Sequence, residues 1–369
     1  MKNDVTTVLI MKKIKIGILT FHRAHNYGAI LQCYALQETL SSLDYDVQVI
    51  DYRQPYIEET YKIFGGMGLF RLLIHPFTLL YYLKTLSYHV KRKFYFSHFR
   101  KKYIRMTLPC VSELPQDFDV YLIGSDQLWS LPCTNGMDKF YFGDFRHPQH
   151  SKLMSYAISS NEKSISQIDN SKLKEIVNRF DVLSFREESI SSLIERLSER
   201  KNRIDIDPTL LQKADFWKSI TNNRWGECDY VLLYEVRKPQ EHPDILSRKA
   251  EQLAETLNCK VIDLSQKIYS PEDFVSLFMH ARYVVTSSFH ATVFALIFQR
   301  PLYAVRLRDG QDIRYESILK MLGADSMLVE LDFSPIPQVI DYAPIMKKME
   351  TLRSGSLQYL KAITSLYAE

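Results

Sequence analysis

Apolar residues in this chain fall into short, β-branched runs that alternate with longer stretches of helical spacing, the pattern of an α/β fold with parallel strands. The first run, 13–20, is followed by a loop at 21–27, a helix over 28–43 and a second strand over 47–51. Further strands are predicted at 120–123, 153–155 and 182–185. The pattern changes at 204–211, around Asp207 and Pro208, and a second series begins: strand 230–235, helix 243–257, strand 260–264, helix 271–281, strand 283–286, helix 291–298 and strand 302–305. Residues 342–367 read as helical and pack back across the rest. The organisation expected is a first Rossmann-like domain over 11–205 with an aromatic and basic insertion at about 64–105, a second over 206–340, and a C-terminal helical segment over 341–369.

In open α/β sheets ligands gather at the carboxyl ends of the strands, so the polar residues that close each run are the candidates for chemistry. The clearest case is Thr286, Ser287, Ser288, Phe289 and His290, where a buried strand passes directly into an apolar helix. First-turn amides of a helix lack intrahelical partners and carry the positive end of the macrodipole, which favours a phosphate or carboxylate there. His290 either caps and packs or serves a ligand; the serines and the helix start favour the ligand. Gly124, Ser125, Asp126 and Gln127 close one first-domain strand, and Arg186, Glu187 and Glu188 close another. Gly17 lies within a strand and Gly28 opens a helix, so the glycine spacing of a dinucleotide site is missing.

Length and composition narrow the classes. At 369 residues, with 46% hydrophobic and 24% charged, the chain suits a folded protein of two domains. The net charge of +4 is local, because 84–105 holds eight Lys or Arg and no acid, which argues against a nucleic-acid partner. Five scattered cysteines with no Cys-x-x-Cys pair fit neither a disulfide framework nor a zinc site, and favour a cytoplasmic location. Residues 1–10 lack the apolar core of a signal peptide, and Met11 reads as an alternative start. The apolar stretch 69–83 is interrupted by Arg71, His75 and Pro76 and falls short of the roughly 20 residues of a spanning helix. With the basic and aromatic residues after it, it is either a peripheral contact with the inner face of a membrane or an amphipathic insertion with a solvated basic face. His22 and His25 have no further ligands at metal-site spacing, and no metal or cofactor is expected.

With these clusters in place the chain resembles the polysaccharide pyruvyl transferase family over most of residues 11–330. The resemblance is carried by Asn26, Tyr27, Gly28 and Ala29 with Leu31, Gln32, Tyr34, Ala35 and Leu36; by Gly124 to Gln127 with Trp129; by Ser184, Phe185, Arg186 and Glu187; by Asp207, Pro208 and Thr209; and by Ser287 to His290. It implies two Rossmann-like domains facing across a cleft, a GT-B-like α/β fold. It also implies transfer of pyruvate from phosphoenolpyruvate to a sugar of a surface or extracellular glycan, forming a ketal and releasing phosphate, with His290 and Arg186 as functional positions. Many relatives carry an arginine two residues before the histidine, where this chain has Ser288.

Phosphoenolpyruvate carries two anionic groups and needs cationic forks and a helix N-terminus. His290 is expected as acid/base, Arg186 as donor clamp, and Ser287, Ser288, Arg306, Arg308 and Arg314 as further donor contacts. Asp126 is expected to handle the acceptor hydroxyl or, alternatively, to form a turn; Glu187 orients Arg186 or shares in the chemistry. Asn26 and Tyr27 either bind the acceptor, a glycan or lipid-linked oligosaccharide, or form a helix cap and a core aromatic; Ser125 and Gln127 are expected on the acceptor side. A nucleotide-sugar glycosyltransferase and an inactive glycan-binding protein are the competing readings; 291–299 contains no acid to hold a ribose, which counts against the first.

Overall fold

The computed structural model describes residues 13–62 and 76–367. Residues 1–10 with Met11, and the part of the insertion over 64–75, lie outside the described residues. The first domain holds a six-stranded parallel sheet of β1 (Lys15–Leu19), β2 (Asp46–Val49), β3 (Val120–Asp126), β4 (Lys152–Ile158), β5 (Ser184–Phe185) and β6 (Arg203–Ile204), ordered β2-β1-β3-β4-β5-β6. The second holds β7 (Tyr230–Tyr234), β8 (Lys260–Asp263), β9 (Tyr283–Thr286), β10 (Leu302–Val305) and β11 (Leu328–Val329), ordered β11-β10-β9-β7-β8 and again all parallel. Two parallel α/β domains face each other across a cleft, a GT-B-like arrangement.

The strands are near-continuous apolar runs because both faces are covered. β3 is buried at every position and runs three residues beyond the predicted end, pairing Asp126 with Ile158. The polar Gly124, Ser125 and Asp126 are therefore the last rungs of the sheet, and Asp126 turns the chain out of it at φ 80°.

Strand order fixes where a ligand can sit. In the first sheet the connections reverse direction between β1 and β3, and in the second between β7 and β9. The loops at such a point splay to opposite faces and leave a crevice at the carboxyl edge. Four loops thus border the cleft, those that follow β1, β3, β7 and β9.

Helix α1 (Tyr27–Ser42) starts at Asn26, whose side chain accepts from Ala29 N, and it is buried along nearly its whole length. The reason is that second-domain elements cover its far side. One apolar core runs from Ile16 and Leu36 of the first domain through Trp217 to Phe294 and Leu360, so the interiors expected for two separate domains are fused behind the cleft. Within the described residues of the insertion, helix α2 (Pro76–Tyr103) buries Phe96 and Phe99 and exposes Val90 and Phe94. No helix among the described residues is long and apolar enough to cross a membrane.

The C-terminal helix (Tyr342–Lys361) follows the second domain yet bonds to the first. Tyr359 Oη donates to Ser155 O at 2.7 Å while its ring lies parallel to that of Tyr156, and the Tyr45 hydroxyl meets Leu360 O at 3.0 Å. Tyr359→Phe keeps the packing and strands the Ser155 carbonyl; the expected loss of about 1 kcal/mol is measurable by urea unfolding.

Candidate functional site

Two helix starts meet at the floor of the cleft. Helix α3 (Phe289–Ile297) begins after β9 and is buried throughout, which its uniformly apolar sequence requires. His290, its second residue, lies against Gly28, the second residue of α1. A Cβ at Gly28 would overlap His290 Nδ1, so only glycine admits the imidazole there. The positive ends of α1 and α3 therefore converge on one cavity of about 250 Å³. Asn26 caps α1, whereas Ser288 makes no side-chain cap bond to α3.

The lining sorts by domain. Ala24, Asn26, Tyr61, Asp126 and Gln127 come from the first; Tyr234, Arg237, Ser287, Ser288, His290 and Arg314 come from the second. Asp126 is the one acid among the described lining residues, so the field in the cavity is positive. Arg314 donates from Nη1 to Gln127 Oε1 at 3.0 Å, joining the domains over the cavity. Burial, with Arg186 close by, pushes its guanidinium down from the usual range. Arg237 donates to Ser287 O at 3.1 Å and pairs with Asp309 and Asp312; its Nε has no partner among the described residues. Arg237 sits two residues before Pro239 in a loop without a recognisable motif, and the sequence reading passed over it.

Behind the floor lies Asp207. It is fully enclosed, and its Oδ2 is 2.7 Å from Arg186 Nη1 and 3.6 Å from His290 Nε2. Burial opposes the charge, but His290, Arg186 and the Thr209 hydroxyl overcome it and hold the carboxyl well below the usual range, so Asp207 is ionised. His290 Nε2 makes no hydrogen bond among the described residues. Arg186 also donates from Nε to Glu187 Oε1 at 2.9 Å and lies over the Phe289 ring at 4.2 Å.

This geometry redistributes the expected roles. Arg186 does not line the cavity; it sits beneath the floor, 5% exposed, because two carboxylates and an aromatic ring hold it there, leaving Nη2 unpaired among the described residues. Glu187 is its ion partner. Arg306 bonds to Glu316 and Glu330, and Arg308 to Glu330, so both are engaged by acids outside the cavity. Of the three arginines expected beyond the last helix, Arg314 alone reaches the lining. Tyr27 is turned into the domain contact, its hydroxyl on Tyr269 O at 3.0 Å and its ring stacked on Phe274 at 4.4 Å. Ser125 points away and donates to Ala157 O. His22 faces Asp51 while His25 stacks between Tyr61 and Phe96, so the two do not converge. No cluster of three or more His, Cys, Asp or Glu able to hold a metal occurs among the described residues.

Residues 26–308 match the family model described as polysaccharide pyruvyl transferase. No curated protein matches the chain. Among solved structures it is similar to the UDP-GlcNAc 2-epimerase of Methanocaldococcus jannaschii, at 13% identity over 93% of each chain and a TM-score of 0.43. It is also similar to a putative UDP-N-acetylglucosamine 2-epimerase of Listeria monocytogenes, at 11% identity over 95% of this chain and 91% of that one, TM-score 0.46. A glycosyltransferase of Streptomyces nogalater gives 9% identity over 96% and 99%, TM-score 0.39. Likenesses this distant carry nothing about chemistry.

Two outcomes follow from the geometry. Gly28→Ala expels His290 from its seat, seen as a displaced ring in a crystal structure of the variant and a changed histidine resonance in solution. Glu235, just after β7, has two buried oxygens that make no hydrogen bond among the described residues, with Lys238 Nζ no nearer than 3.9 Å, and burial raises its carboxyl to about 7. A raised folded-state value means stability is complete below about pH 4, where the unfolded carboxyl is also protonated, and is lost as pH rises through 7. Glu235→Gln is therefore expected to melt higher than the natural chain at alkaline pH and alike in acid, as a calorimetric pH series would read.

Proposed function

Because the chain belongs to the polysaccharide pyruvyl transferase family, we propose that its cleft transfers pyruvate from phosphoenolpyruvate to a glycan, forming a ketal and releasing phosphate. The observation that carries this reading is the convergence of two helix N-termini, Arg237, Arg314 and an unbonded imidazole on one cavity whose described lining has a single acid. Such a field suits a small ligand with a carboxylate and a phosphate. Burial first, and then the charges of Arg186 and Arg237, depress the guanidinium of Arg314, and an anion entering beside it offsets these effects.

In this reading Arg314 and Arg237, with the first-turn amides beside Ser287 and Ser288, hold the donor's anions. The missing arginine at position 288 is then replaced from loops nearby. Arg186 acts on His290 through Asp207 and is a positioning residue. The enol ether reacts once its methylene carbon takes a proton. His290 supplies it, with Asp207 as the counter-charge for the imidazolium. The methylene becomes methyl, and C2 becomes an oxocarbenium-like centre that the first sugar hydroxyl attacks, losing its proton to a base. The C2–O bond to phosphate then breaks, the phosphate leaves with the proton that the base took from the first hydroxyl, and a second hydroxyl attacks C2 and closes the ketal, its proton returning to His290. Asp126, on the first-domain wall, is the candidate to receive the hydroxyl proton. Asn26 and Gln127 line the same wall and suit a sugar's hydroxyls.

A positioned acid contributes about 10²- to 10⁴-fold in rate. His290→Ala is accordingly expected to lower phosphate release from phosphoenolpyruvate and acceptor by at least about 10²-fold with the fold retained. Turnover at the natural rate would remove His290 from the chemistry. In a thermal-shift series the natural chain should be stabilised by phosphoenolpyruvate and not by nucleotide sugars. The reverse pattern would favour a glycosyltransferase.

A further inference from the structure

On the first-domain side, past Tyr61, lies a second group of cations that the proposed chemistry does not use, partly buried at Arg53 and Arg92 and buried at Arg100. Arg23 and Arg53 come from the loops after β1 and β2, and Arg92 and Arg100 from α2, where an eight-residue spacing puts them on one side of the helix. His25 lies among them, stacked on Phe96 at 5.3 Å and near Tyr61 at 4.9 Å. Arg92 lies over the Tyr61 ring at 5.2 Å, and Tyr61 is also a wall of the cavity.

These cations are short of partners. Asp51 is committed to His22 at 2.9 Å and to both arms of Arg23 at 2.7 Å. Arg53 reaches it only at 3.8 Å, and Glu58 lies 3.7 Å from Arg23. Among the described residues, four guanidiniums thus face two carboxylates. Arg53 Nε, Arg92 Nε, Arg100 Nη1 and His25 Nδ1 are buried and have no hydrogen-bond partner among those residues. Arg100 is the telling member, since it is only 6% exposed and its one side-chain bond among the described residues is to Ser97. An isolated buried cation is costly, and several together repel one another. Burial together with Arg92 and Arg100 lowers His25 to about 3, and burial with Arg23 lowers Arg100 to about 10, the response expected of groups sharing an uncompensated positive field.

We propose that Arg53, Arg92 and Arg100, with His25, form an anion site distinct from the donor cavity, which seats a phosphate or diphosphate group carried by the acceptor. Guanidinium forks pair with phosphoryl oxygens two at a time, and an arginine cluster suits this chemistry better than it suits neutral sugar. Only the word acceptor rests on the function proposed above; the anion site does not. Its place beside Tyr61 would hold the charged end of a glycan carrier while the sugar reaches Asp126 and His290.

Calorimetric titration of the full chain with inorganic pyrophosphate, phosphoenolpyruvate being saturating, reads this site alone. Binding is expected in the natural chain and in Arg314→Gln. It is expected to weaken by at least about tenfold in Arg53→Gln/Arg92→Gln, whose phosphoenolpyruvate affinity stays unchanged and whose melting temperature does not fall. The NMR titration of His25 should also move upward when pyrophosphate is bound. Undiminished pyrophosphate binding by the double variant, or displacement of phosphoenolpyruvate by pyrophosphate, would overturn the proposal. If phosphoenolpyruvate itself fails to bind, the same titration run without it on Arg314→Gln still tests the anion site. Geranyl diphosphate and uridine diphosphate in parallel separate a lipid carrier from a nucleotide carrier. Failure of both to compete with pyrophosphate would overturn the assignment to an acceptor.

Discussion

The structure depends on one enclosed carboxylate. Asp207 sits where the chain leaves the first sheet, and it faces a guanidinium from the end of β5 and an imidazole from the start of α3. Either partner alone would be a buried charge, and removing one member of such a group costs about 3–5 kcal/mol. Asp207 thus links the end of the first sheet to the start of α3 by charge, 2.7 Å from one partner and 3.6 Å from the other. Gly28 completes the constraint from the other side by leaving no space for a side chain.

The rest of the site follows from strand order. Each sheet reverses its winding once, and both reversals open on the same cleft, so the loops after β1, β3, β7 and β9 supply much of the lining, joined by Tyr61 from the segment after β2 and Arg314 from the one after β10. The cores are fused behind α1, and the domains meet again over the cavity, where Arg314 bonds Gln127. A ligand that takes over the Arg314 guanidinium would therefore exchange an interdomain bond for its own.

What was legible in the sequence was what local physics dictates. The apolar runs, a helix opening near Gly28, another just beyond Ser287 and Ser288, and the polar strand ends all express short-range rules, and they place His290 at a helix start beside a strand end. What was not legible depends on pairs far apart in the chain. Arg186 reads as a donor clamp until Asp207, twenty-one residues on, is seen to hold it beneath the floor. Arg306 and Arg308 read as donor contacts until Glu330 claims them. Arg237 had no neighbour to mark it, and Tyr27 looked like a sugar platform because the second-domain Phe274 that covers it is 247 positions away. Electrostatic pairing, unlike hydrophobic period, leaves no trace in a linear pattern.

The C-terminal helix carries a consequence for how the protein is made. Its tyrosine contacts reach back across 204 and 315 positions, to Ser155 and from Tyr45. While the chain is being synthesised the first sheet can form, but the part of it that this helix covers stays bare until Tyr342–Lys361, which follows both sheets, has been made. Contacts of such long sequence separation form slowly. The newly made protein therefore passes through a stage with an uncovered apolar face, and it is in this window, more than in the finished molecule, that aggregation or chaperone capture would act.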